Sequence, residues 1–106
     1  MTKKIAVITG GGSGIGAAAA VALAEDGNHV VVAGRRVEKL EEVAARTGGT
    51  AIRLDVTDDA SVEKFAAQVR ELGNVDVLVN NAGGAHGLDT LREANLEDWQ
   101  VMYDTN

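Results

Sequence analysis

Residues 10–16 read Gly-Gly-Gly-Ser-Gly-Ile-Gly, and they follow directly on a nearly continuous apolar run, Lys-Ile-Ala-Val-Ile-Thr at 4–9. A run without polar alternation is read as a strand buried on both faces. Beyond the glycines, Ile15, Ala18, Ala19, Ala22 and Leu23 recur at i, i+3, i+4, i+7 and i+8, which predicts a helix with those five residues on its inner face. Strand, glycine-dense turn and helix, in that order, leave few folds open. The glycines permit a tight turn and a close approach of the backbone to an anion, and the helix start offers free N–H groups and a positive dipole end. Two registers fit: G-x-x-x-G-x-G on Gly10, Gly14 and Gly16, or G-x-G-x-x-A through Gly12, Gly14 and Ala17. A P-loop would need Lys and then Ser or Thr after its last glycine, whereas Gly16 precedes Ala17-Ala18. The plainer alternative is a turn that uses glycine for packing alone.

The rest of the chain repeats the alternation. Residues 29–33 and 50–54 are further strands, separated by a helix over 37–46 with Leu40, Val43 and Ala44 inward and Glu38, Lys39, Glu41 and Glu42 outward. A helix over 58–72 carries the stripe Val62, Phe65, Ala66 and Val69, with Asp58, Asp59 and Glu63 near its positive end. A fourth strand occupies 75–80, a glycine-rich loop 83–90, and a last helix starts near Leu96 behind an Asn95/Asp98 capping box and runs to Asn106. The pattern predicts an α/β fold, a Rossmann-like doubly wound parallel sheet of strand order 3-2-1-4, incomplete at its C-terminus. Strand four would then keep a bare apolar edge at Val77-Leu78-Val79. The chain is therefore expected to be part of a longer polypeptide or to pair with another chain.

Composition excludes other classes. With no Cys among 106 residues there is no disulfide framework, thiolate metal site or cysteine nucleophile. The net charge of -6 argues against a nucleic-acid surface. No apolar stretch approaches the roughly 20 residues of a membrane span, and no signal peptide is evident, so a cytoplasmic location is expected. His29 and His86 lack a second ligand at metal-binding spacing, so no metal is expected. Ser13 and Ser61 suggest no nucleophile with a base, Asp58-Asp59 reads as caps, and Trp99 as core.

The end of strand two bears on the choice of nucleotide. An acid about 20 residues after such a glycine loop commonly binds the ribose 2′-OH of NAD. Here the strand ends Ala33-Gly34-Arg35-Arg36. Two guanidiniums suit a 2′-phosphate, which a carboxylate would repel, so NADP(H) is favoured over NAD(H). The alternative is a solvated pair bonded to Glu38 or Glu41.

Taken together, these residues resemble the N-terminal part of a short-chain dehydrogenase/reductase over the whole chain. Thr9-Gly10-x-x-x-Gly14-Ile15-Gly16 is similar to that family's cofactor motif, which implies contacts from Gly10, Gly12, Ser13, Gly14, Ile15 and Gly16. Asp55-Val56 resembles the adenine-contacting pair, in which the Asp accepts from the adenine amino group. Asn80-Asn81-Ala82-Gly83 is similar to the N-N-A-G element, implying that Asn81, Ala82 and Gly83 lie along the cofactor. Gly34-Arg35-Arg36, Glu38-x-Leu40, Glu97-Asp98-Trp99 and Asp104-Thr105-Asn106 look most like bacterial NADP-dependent 3-hydroxy acid or serine dehydrogenases, with 3-oxoacyl reductases close behind. Ser13 departs from the basic residue that many NADP-using members carry in the loop.

The resemblance implies an oxidoreductase interconverting a secondary alcohol and a ketone, working as a homo-oligomer. Asn106 matches the catalytic Asn. The family's Ser and its Y-x-x-x-K pair lie downstream, and Tyr103 is not the catalytic Tyr. The chain alone is accordingly expected to be inactive. The competing reading is a catalytically silent nucleotide-binding module.

Overall fold

A computed structural model of the chain describes residues 4–12, 14–55, 57–73, 75–80 and 101–104. In chain order these form β1 (Ile5–Thr9), α1 (Gly14–Glu25), β2 (His29–Gly34), α2 (Val37–Thr47), β3 (Thr50–Arg53), α3 (Asp59–Leu72), β4 (Val75–Asn80) and β5 (Val101–Asp104). The strands build one sheet in the order β3-β2-β1-β4-β5. Every neighbouring pair is parallel.

The two-residue period of the strands sorts their side chains between two cores. Ile5, Val7, Val31 and Ala33 pack with Val62, Phe65, Ala66 and Val69 of α3. Ile8, Val30 and Val32 pack with Ala20 of α1 and with Leu40 and Val43 of α2. One face is thus covered by α3 and the other by α1 and α2, which is why all five residues of β1 are buried. The chain steps outward from β1 through β2 to β3, then returns to lay β4 on the opposite side of β1. That reversal leaves a crevice beyond the carboxyl ends of the strands, where open α/β sheets receive ligands.

Two expectations need correction. The inner face of α1 is set by Gly16 and Ala20, with Ala17, Ala19, Leu23 and Ala24 packed beside them. Ile15, at 66% exposure, and Ala18 and Ala22 point outward, contrary to the predicted stripe. From Ile15 to Ala24 the helix is apolar or glycine on every side, so hydrophobic spacing cannot choose its phase. Close approach to the sheet chooses instead, and it selects the smallest side chains.

The second correction concerns the C-terminal residues. Val101–Asp104 is extended and pairs with β4, Leu78 opposite Val101 and Asn80 opposite Asp104, where a helix was expected. The edge of β4 offers a row of backbone donors and acceptors, and a Val-Met-Tyr run is well suited to take them up. β4 is therefore not left bare, and the order 3-2-1-4 gains a fifth strand. The start of the expected helix near Leu96, the Asn95/Asp98 box and the 83–90 loop lie outside the described residues.

A bulge adjusts β4 to β1. Ile5 faces Val75 and Ala6 faces Val77, so Asp76 is an extra residue. Its Oδ2 accepts the Ile5 N–H at 3.0 Å, satisfying the donor that the bulge displaces.

At the other end of β1 the chain must leave a fully buried strand. Gly10 does so in the left-handed region, at φ 66°. Gly11 then passes so close to β2 that an added Cβ would lie 2.7 Å from Val32 Cβ and 3.3 Å from the Ile8 carbonyl oxygen. Neither neighbour is the flexible end of a side chain. Gly11→Ala is therefore expected to lower the unfolding free energy by about 1–3 kcal/mol through overpacking, as read from urea unfolding.

Candidate functional site

The carboxyl ends of β1, β2 and β3, with the first turn of α2, enclose a cleft of about 400 Å³. Its walls come from widely separated parts of the sequence: Thr9, Gly10 and Gly12 after β1; Ala33 to Arg36 after β2; Lys39 and Leu40 on α2; and Leu54, Asp55 and Thr57 after β3. Backbone bonds hold these segments in place. Gly11 N–H donates to the Ala33 carbonyl at 3.1 Å, and Leu54 N–H to the Gly34 carbonyl at 2.8 Å. Thr9, buried at the base of the loop, donates its hydroxyl to the Val79 carbonyl at 3.4 Å and so ties the turn to β4.

Of the residues expected to bind a nucleotide, Gly10, Gly12, Arg35, Arg36 and Asp55 meet in this cleft. Gly14, Ile15 and Gly16 form the first turn of α1. Gly14 lines a second, shallower groove between α1 and α2, Gly16 is buried against the sheet, and Ile15 is exposed. Ser13, Val56, Asn81, Ala82, Gly83 and Asn106 lie outside the described residues. His29 belongs to the opposite end of the sheet, where its Nε2 shares a 3.0 Å hydrogen bond with Thr50 Oγ1.

α2 begins at Arg36, whose extended backbone serves as N-cap without a side-chain bond. Arginine carries only donors, so it leaves the helix's first N–H groups to other acceptors. The positive end of α2 thus adds to the charge of the two guanidiniums on the same rim.

Asp55 stands on the β3 side of the cleft. Thr57 holds its Oδ1 twice, the hydroxyl donating at 2.6 Å and the backbone N–H at 3.0 Å. The hydroxyl bond first, and then the N–H bond, keep the carboxyl below its usual range; desolvation opposes them, and Arg35 and Arg53 add the smallest pulls downward. The backbone of Asp55 is held as firmly. Its N–H donates to Ser61 Oγ at 2.9 Å, and its carbonyl accepts the Asp58 N–H at 3.1 Å. Asp58 is the N-cap of α3, its Oδ1 accepting the Ala60 N–H at 3.0 Å, as the acid pair at 58–59 predicts.

Three of these contributors went unread in the sequence. Lys39 was assigned only to the outer face of its helix, and its closeness to Gly12, a contact between distant segments, leaves no mark in local spacing. Thr57, two residues after Asp55, had the spacing of an Asx turn. Gly11 was passed over in favour of the motif glycines on either side.

The pH behaviour of Asp55 follows from its bonds. A carboxyl whose folded value lies below its unfolded one stabilises the fold above the unfolded value of about 3.9, and that contribution is lost as pH falls through the folded value. Thr57→Val removes the hydroxyl bond. It is expected to move the Asp55 titration, followed by carboxyl-carbon NMR, upward toward the ordinary carboxylate value.

Comparison with known proteins agrees with this arrangement. The chain is 55% identical over 104 residues to an uncharacterised oxidoreductase of Mycobacterium tuberculosis, covering 98% of this chain and 40% of that protein. It is 37% identical over 105 residues to the NADP-dependent 3-hydroxy acid dehydrogenase YdfG of Escherichia coli, covering 96% of this chain and 42% of the relative. Among solved structures, an alcohol dehydrogenase from Thermococcus sibiricus complexed with 5-hydroxy-NADP superposes with a TM-score of 0.80 at 31% identity, over 94% of this chain and 57% of that one. The chain thus spans about two fifths of the length of these curated relatives. The family model for short chain dehydrogenases matches residues 4–106. With the glycine turn, the β3-β2-β1-β4 order and the crevice at the strand ends all in place, the chain belongs to the short-chain dehydrogenase family.

Proposed function

We propose that this chain is the dinucleotide-binding portion, residues 1–106, of an NADP(H)-dependent oxidoreductase that interconverts a secondary alcohol and a ketone, with 3-hydroxy acids or 3-oxoacyl compounds as its substrate class. The observation that carries the cofactor choice is the pair Arg35 and Arg36 on the cleft rim, where β2 ends without a carboxylate. A ribose 2′-phosphate is dianionic and has three acceptor oxygens; two planar guanidiniums meet it with paired bonds. The name of the Escherichia coli relative points the same way for both cofactor and substrate class.

The residues present fit the cofactor. Gly10 and Gly12 leave the cleft floor free of side chains, so a pyrophosphate could approach the backbone there, with Gly14 and Ile15 offering N–H groups at the start of α1 and Ser13 assigned by the family resemblance alone. Asp55, ionised and fixed by Thr57 through one oxygen, would accept from the adenine amino group, with Val56 the second residue that the family resemblance assigns to the adenine. By the family resemblance Asn81, Ala82 and Gly83 would lie along the cofactor, and Asn106 would hold a water for proton transfer. When bound, the nicotinamide supplies or receives the hydride, and the protein's share is to bind and orient it. The homo-oligomeric assembly expected from the family is part of the same proposal.

The test is cofactor preference. Arg35→Ala combined with Arg36→Ala should weaken NADPH binding roughly 10- to 100-fold, the loss of one or two charge-assisted bonds, and change NADH binding by less than about threefold. Equal losses for the two cofactors would remove the 2′-phosphate assignment. The silent-module reading is separated by turnover. NADPH bound tightly but never oxidised by any 3-oxo compound in the full-length protein would favour it.

A further inference from the structure

The glycine side of the cleft has no charge of its own, since no residue from Thr9 to Gly16 is ionisable. A charged side chain reaches its edge from α2. A Cβ placed on Gly12 would lie 3.0 Å from Lys39 Cβ, so the root of the lysine side chain stands against the loop. Lys39 lines the cleft together with Arg35, Arg36, Gly10 and Gly12. It lies in the first turn of α2, directly after the two arginines that lead into the helix.

We propose that Lys39 is a third cation of the 2′-phosphate site and a determinant of NADP(H) over NAD(H), an inference that rests on reading the cleft as a NADP(H) site. The charge balance supports it. The residues lining the cleft carry three cations, Arg35, Arg36 and Lys39, against one carboxylate, Asp55, in a chain whose net charge is -6. Three like charges at the mouth of one small cleft repel one another unless a multivalent anion joins them. Lys39 also lines the neighbouring groove beside Glu42 and Arg46, and of those three charged residues it alone lines this cleft as well. The 2′-phosphate is the better partner for Lys39 than the pyrophosphate because the lysine shares its cleft with the residues at the end of β2. The pyrophosphate is served by the backbone of the loop. The glycine at position 12 is then explained twice, by the approach of the cofactor and by the closeness of Lys39 Cβ.

Lys39→Met keeps the Cβ contact with Gly12 and most of the stem while removing the charge, and Lys39→Gln does the same with a polar end should Met at this exposed position impair folding. Dissociation constants are measured on the full-length protein for NADPH, NADH and 2′,5′-ADP. Loss of one charge-assisted bond on an open rim should weaken NADPH and 2′,5′-ADP roughly three- to tenfold. NADH should change by less than about twofold, and Lys39→Arg should restore NADPH binding. Equal weakening of NADPH and NADH would place Lys39 on the shared pyrophosphate, and no change in either would leave it outside the site; both overturn the proposal. A wild-type protein that binds NADPH and NADH alike overturns the reading of the cleft itself, whatever the variants do. A wild type that prefers NADPH by way of Arg35 and Arg36, with Lys39→Met silent, overturns only the third cation.

Discussion

The approach of Gly11 to β2 fixes the position of everything that lines the cleft. A strand buried on both faces, as β1 is, delivers the chain to the top of the sheet with no solvent-facing side on which to turn. The chain leaves through Gly10 in the left-handed region and then lies against Val32, at a distance no side chain at position 11 would permit. The Gly11 N–H bond to Ala33 ties this turn to the end of the neighbouring strand. Arg35 and Arg36 emerge two and three residues later. The glycine loop and the cationic rim are thus two sides of one contact, and the width of the cleft between them is set by backbone packing rather than by long side chains.

The same economy of side chains governs α1. A helix that packs close behind such a turn needs small residues facing the sheet, and Gly16 and Ala20 supply them. Closer approach of the helix brings its first N–H groups nearer the loop, so the packing that buries the helix also serves the anion site. The cost is a helix with little amphipathic bias, and with Ile15 turned outward.

This explains what could be read from the sequence and what could not. The strands were legible because continuous β-branched runs such as Val30-Val31-Val32 have no other economical fate, and α2 and α3 because Leu40, Val43, Phe65 and Val69 stand out against charged neighbours. The cap at Asp58 and the cleft residues Gly10, Gly12, Arg35 and Arg36 were legible because each sits at a strand or helix end where its chemistry has a reason, whereas Asp55 was picked out only by its resemblance to the family's adenine-contacting pair. The phase of α1 was not, since alanine on every side carries no period. Nor were the pairing of 101–104 with β4, the hold of Ser61 on the Asp55 N–H, or the closeness of Lys39 to Gly12. Each of these depends on where two distant backbones stop relative to one another, and local spacing does not record that distance.

The electrostatics of the cleft follow from the same geometry. An acidic chain repels anions at long range, yet the start of α2, uncapped by any side chain, and the cations of Arg35, Arg36 and Lys39 converge on one opening. Asp55, the carboxylate across from them, is occupied by Thr57 and kept ionised, so it stays an acceptor rather than a donor. The two rims therefore ask for opposite things of a ligand: an anionic group at the end of β2 and a hydrogen-bond donor at the end of β3. A phosphorylated ribose joined to an amino-bearing base presents both at once. On the proposed reading, a nucleotide without the phosphate would leave the cations facing one another, so a preference for NADP(H) would come as much from unrelieved repulsion as from the bonds formed.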